Sequence, residues 1–128
     1  MKQLHLRRLV LVLVILAFTS CVAFQPQVPE TPKEKSDFFM SYYLAQKADY
    51  ETRLMIATEE KDGVLYWKAG TTDVEAAILE AKHAFITEAE TPITMYDSYA
   101  SKGELPPAEL EMTINALMSR LKDYLSKH

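Results

Sequence analysis

One cysteine, three histidines and 18 acidic side chains are the groups of this 128-residue chain best suited to attack, bind a metal or trade protons. Such chemistry needs them in set combinations. His128 is the last residue of the sequence, and His83 falls on a helical segment about 100° away from an Ala81–Phe85 apolar stripe, a surface or boundary position. No His-Glu-x-x-His, cysteine pair or calcium-loop spacing of carboxylates occurs. Glu59, Glu60 and Asp62 gather where a helix is expected to end. The helix dipole disfavours them there, so they read as a solvated end. Glu88 and Glu90 are two apart on a helix and point to different sides, which rules them out as a paired acid and base. With no glycine-rich phosphate loop and no nucleophile elbow, the expectation is no catalytic residue, no metal, no cofactor and no enzyme.

Cys21 is different because of what precedes it. Met1 to Arg8 is basic, Leu9 to Phe18 is an unbroken run of ten apolar residues, and the small residues Thr19 and Ser20 follow. Ten helical residues span about 15 Å, half of the roughly 30 Å core of a bilayer. The layout is that of a secretory signal peptide, with Arg7-Arg8 as ordinary charge of its basic region.

Phe18-Thr19-Ser20-Cys21 resembles the bacterial lipobox, with Phe18 where Leu is usual. The resemblance covers residues 1–21. It implies cleavage between Ser20 and Cys21 and acylation of the Cys21 thiol and freed amine. Two or three chains give lasting membrane attachment where one gives marginal binding. Val22, in place of the Asp that commonly retains Gram-negative lipoproteins at the inner membrane, implies outer-membrane delivery if the host has one. Two alternatives stand beside it: cleavage after Ala23, releasing a soluble exported protein, and an uncut segment serving as a short anchor.

Beyond residue 20 the chain carries 18 acidic and 11 basic residues, a net charge of −7. That excludes a nucleic-acid surface and a polybasic lipid clamp. With a lone cysteine, no intrachain disulfide can form, so the domain depends on packing.

The elements divide the chain into a signal peptide (1–20), an acylated cysteine with a proline-rich tether (21–36) and a helical domain (37–128). Pro26, Pro29 and Pro32 recur every three residues, which suits polyproline II; fifteen residues at about 3.1 Å reach roughly 45 Å. A first helix is expected over about 37–61, capped by Ser36 and ended by Asp62-Gly63. Its apolar face holds Phe39, Tyr43, Tyr50, Leu54 and Ala57, flanked by Met40, Leu44, Ala48 and Met55, with Lys47 and Glu51 spaced to pair. Val64-Leu65-Tyr66-Trp67 reads as a helical turn or a strand-like connector whose Trp67 plugs one end of the core.

Thr72 and Glu75 form a capping box for a second helix. Its stripe is Val74, Ala77, Ile78, Ala81, Phe85 and Ala89, continued in phase past Pro92 by Ile93, Tyr96 and Ala100 to a stop at Gly103. The third helix repeats Leu110, Ile114, Leu117, Leu121, Tyr124 and Leu125. The expected fold is all-α, a small antiparallel bundle of three to four helices.

Seven tyrosines and one tryptophan are many for so small a domain. Most are expected to line the rims of the core, while Tyr42, Tyr99 and the end of Trp67 are the candidates for an exposed partner patch. The leading expectation is a lipid-tethered protein that acts through contacts with an envelope protein, its membrane partner reached through Cys21. The other is a carrier or sensor holding a small apolar ligand between Met- and Tyr-rich helices kinked at Pro92.

Overall fold

A proline stands at the start of the first helix, where its missing N–H costs nothing. The computed structural model describes residues 31–128, which form one compact unit; Ser20, Cys21 and the first nine residues of the expected tether, 22–30, lie outside them. The described chain is mostly helical: three helices and a two-stranded sheet, in the order α1 (Pro32–Ala57), β1 (Thr58–Lys61), β2 (Val64–Trp67), α2 (Asp73–Ser101) and α3 (Ala108–Lys127).

Helix α1 begins five residues before the expected start. Thr31 is its cap, its Oγ1 accepting from the Glu34 N–H at 3.2 Å, and Pro32 occupies the first turn. Residues 32–36 are therefore helical rather than polyproline. Ser36 is no cap; it is buried at 2% exposure and donates to Asp97 Oδ1 at 2.8 Å.

The first helix also ends earlier than expected, and residues 58–61 form a strand. Thr58 is extended, and Asp62 and Gly63 both take positive φ, 54° and 78°. Positive φ at two successive residues gives the primed turn whose twist matches a hairpin. Thr58 pairs with Trp67, Glu59 with Tyr66, Glu60 with Leu65 and Lys61 with Val64, antiparallel. Val64-Leu65-Tyr66-Trp67 is thus a strand.

Helix α2 runs through Pro92 without interruption. Buried Ala89, Ile93 and Tyr96 surround that proline on the core side, and their packing holds the helix where one backbone bond is missing. Thr72 caps α2 through its Oγ1, which accepts from the Glu75 N–H at 3.1 Å. At the other end the Glu104 N–H donates to the Tyr99 carbonyl and the Gly103 N–H to that of Ala100, with Gly103 at φ 70°. This paired closure is the Schellman motif, which needs a left-handed residue at that place.

One core joins the helices: Phe39 and Tyr43 from α1, Phe85, Ala89, Ile93 and Tyr96 from α2, and Ile114, Met118 and Leu121 from α3. Phe39 meets Tyr96 edge-on at 5.2 Å between ring centres. The buried stripe of α2 starts at Leu79 and Lys82, while Val74 is exposed; that of α3 centres on Met118, with Leu117 on its flank. Leu44 and Met55 are exposed too, and the ion pairs of α1 use Asp49 and Arg53 in place of Lys47 and Glu51.

Side-chain contacts give the helix directions. Ser36 meets Asp97 near one end of α1, and Arg53 meets Glu75 near the other, so α1 and α2 run in opposite senses. Arg120 of α3 bonds Glu88, while Tyr124 lines a cleft with Ala81. The opening turns of α2 and the closing turns of α1 therefore project beyond α3, and the hairpin sits on that projecting end.

Candidate interaction surface

The projecting end is built from the hairpin, Met55 and Ile56 of α1, and Val74 of α2. All eight hairpin residues except Thr58 are exposed, as are Met55, Ile56 and Val74. Strand pairing places Thr58, Glu60, Leu65 and Trp67 on one face, and Glu59, Lys61, Val64 and Tyr66 on the other. Each face thus joins two apolar or aromatic side chains of β2 to two polar ones of β1. Trp67 is 49% exposed. It does not plug the core: it stands at the base of the hairpin, opposite Thr58, on a strand that returns to the end of α1 without entering the helix packing.

An open cleft of about 540 Å³ lies at the base of the hairpin, lined by Arg53, Ile56, Ala57, Thr72 and Glu75 with the 68–71 connection. The connection is tied to the helix by two bonds to the Ala57 carbonyl, from the Lys68 N–H at 2.9 Å and the Thr71 hydroxyl at 3.2 Å.

Beneath this end, α1 and α2 are clamped by charge. The ammonium of Lys82, a residue at 5% exposure, lies 2.7 Å from Asp49 Oδ2 and 2.7 Å from Gln46 Oε1. Asp49 Oδ2 also accepts from Arg53 Nε at 2.8 Å, and Arg53 Nη1 reaches both Glu75 oxygens at 3.1 and 3.3 Å. The hydrogen bond from Lys82, helped by its charge and by Arg53, holds the Asp49 carboxyl below its usual range. The bond to Glu75 raises the Arg53 guanidinium further. Glu75 is thereby drawn into the clamp. The clamp was partly legible in the sequence: Asp49 and Arg53 are four apart, and Lys82 stands between Leu79 and Phe85 at helical spacing.

The three aromatic residues named from sequence fall in different places. Trp67 is on the hairpin. Tyr42 is half-buried on α1, edge-on to Phe85 at 5.5 Å with the Lys122 ammonium 5.0 Å from its ring centre, and burial raises its hydroxyl above the ordinary range. Tyr99 is half-buried in the last turn of α2, where its carbonyl takes part in the Schellman closure. The hairpin neighbours Val64, Leu65 and Tyr66 were not singled out beforehand.

Among the polar candidates, His83 is exposed beside the Tyr50 ring at 5.5 Å, and His128 lies 4.5 Å from the Tyr124 ring. Glu59, Glu60 and Asp62 belong to β1 and its turn, not to a helix end; Lys61 bonds Glu59 at 3.2 Å. Glu88 is bonded by Arg120. Among the described residues, no three metal-ligating side chains come together and no helix is long and apolar enough to cross a membrane. Comparison with family models, with curated proteins and with solved structures gives no match.

Proposed function

We propose that the chain is a small lipid-anchored protein of the cell envelope, attached through Cys21 and acting by protein contacts at its hairpin end. The observation that carries the contact reading is that Val64, Leu65, Tyr66 and Trp67 are all exposed, two on each face of the hairpin, at the end of the molecule where Met55 and Ile56 are exposed as well. Isolated apolar side chains are normal on a protein surface, whereas so many exposed at one end mark a place of contact. The anchor rests on the basic stretch, the ten-residue apolar run and Phe18-Thr19-Ser20-Cys21. On this reading the helices are a small antiparallel bundle that carries the hairpin clear of the membrane surface. The protein performs no catalysis, and its attachment comes from lipid rather than from a spanning helix.

Metabolic labelling with a fatty acid in a bacterial host tests the anchor. The wild-type chain takes up label and is cut before Cys21. Cys21→Ala takes up none and leaves either an uncut precursor or a product cut after Ala23. A wild-type chain that takes up no label overturns the anchor and leaves a soluble exported protein. Crosslinking at Trp67 in intact cells tests the contact reading, and a failure to capture any protein there counts against it.

A further inference from the structure

The two edges of the hairpin differ in how they are protected. A free strand edge offers unpaired N–H and C=O groups to any extended chain, and proteins guard such edges with charges, prolines, bulges or a covering element. The β1 edge is guarded: Glu59, Glu60 and Lys61 make three of its four residues charged. The β2 edge has no charge and no proline, and all four of its residues are exposed. Among the described residues the sheet contains these two strands only.

The register decides which backbone groups are free. The Lys68 N–H bonds the Ala57 carbonyl. Hydrogen-bonded pairs alternate along an antiparallel ladder, so Tyr66 and Val64 also turn inward to β1. The N–H and C=O of Leu65 and Trp67 then face outward along the open edge.

We infer that this edge pairs with the same edge of a second copy, antiparallel about a two-fold axis at Tyr66. Leu65 lies opposite Trp67 of the second copy, and Trp67 opposite its Leu65, so that the outward groups of both strands are satisfied together. Tyr66 faces Tyr66 of the second copy in a non-hydrogen-bonded pair, with Cβ atoms about 4.5–5.5 Å apart. The product is a four-stranded sheet with the neutral strands inside and the charged β1 strands at both rims.

Charge chooses the copy and the edge. Pairing β1 with β1 would bring the acidic residues of two hairpins against one another, and like charges across a ladder are destabilising. Pairing β2 with β2 carries no such cost. A self-complementary patch closes a dimer and leaves no interface of the same kind open for growth. The inference rests on the hairpin as a contact surface and is independent of the anchor: loss of acylation leaves the pairing intact, and loss of pairing leaves the acyl label in place.

Sedimentation of the full chain in mild detergent, with the detergent mass subtracted, tests it. The wild type forms a dimer. Leu65→Lys places a charge at the seam, and Leu65→Pro removes an outward N–H that β1 does not use; each weakens the dimer at least about tenfold, while Glu60→Lys changes it less than about twofold. In a Cys21→Ala background, Tyr66→Cys forms an intermolecular disulfide under mild oxidation and Glu59→Cys does not. This second readout keeps the test decisive if a Leu65 variant loses its hairpin. A wild type that remains a monomer at every concentration overturns the inference, as does crosslinking through Glu59→Cys in place of Tyr66→Cys. A hairpin that captures a different protein and never its own copy overturns it as well.

Discussion

Lys82 places its ammonium 2.7 Å from Oδ2 of Asp49 while its own side chain is 6% exposed and that of Asp49 is 43% exposed. The pair is therefore lopsided, with a cation sealed between helices and an anion reaching in from the rim. Removing the anion leaves the buried charge, among the described residues, with Gln46. Removing the cation leaves a carboxylate that water and Arg53 can still serve. Asp49→Ala is accordingly expected to destabilise by about 1–2 kcal/mol, discounted for the exposure of the rim, whereas Lys82→Met, close in volume and apolar, changes stability by less than about 1 kcal/mol. Urea denaturation of the two variants gives the comparison, and a Lys82→Met loss larger than the Asp49→Ala loss would refute the lopsided account.

Acid should act through the same carboxyl. Its folded-state affinity for protons is lowered, chiefly by the hydrogen bond from Lys82. A group of this kind contributes its full stability above its unfolded value and loses it as pH falls through the folded one. The contribution of Asp49 is constant near neutrality and disappears progressively below about pH 4. Thermal melts from pH 7 to pH 2 should show a smaller acid loss for Asp49→Asn than for the wild type.

The third prediction concerns the core face of α3. Ile114 is fully buried and Met118 nearly so, whereas Leu117 is half-buried on the flank. Ile114→Ala is expected to cost about 2–5 kcal/mol, and Leu117→Ala measurably less. Equilibrium unfolding that ranks Leu117 above Ile114 would show the helix rotated about its axis, with Leu117 at the centre of the core face.

A fourth follows from the turn. Gly63 sits at φ 78° with nothing within 4 Å of an added Cβ, so backbone strain is the whole penalty of Gly63→Ala. That strain is about 1–2 kcal/mol. Because the hairpin projects from the helices, the loss should appear as faster amide exchange at Tyr66 and Val64 with little change in the global melt.

The sequence alone determined the three helices, because each repeats apolar residues at three and four over many turns. It also marked the Thr72 cap and the stop at Gly103, both local events of a few residues. The hairpin was missed, although Asp62-Gly63 between two four-residue runs is a short-range hairpin signal. The helical period running up to Ala57 masked it, and the polar Thr58-Glu59-Glu60-Lys61 gave no alternation to break that period.

Other features were settled only by the tertiary structure. A broad apolar stripe does not say which of Leu117 and Met118 is central, because a rotation of one residue keeps most of the stripe buried. Ser36 looked like a cap until Asp97, 61 residues away, was placed against it. No local spacing marks the partners of Lys82, because α1 brings Asp49 and Gln46 to its ammonium from more than thirty residues away. The exposure of Trp67 depended on where α3 stops relative to the other two helices, a relation between distant parts of the chain that no local spacing encodes.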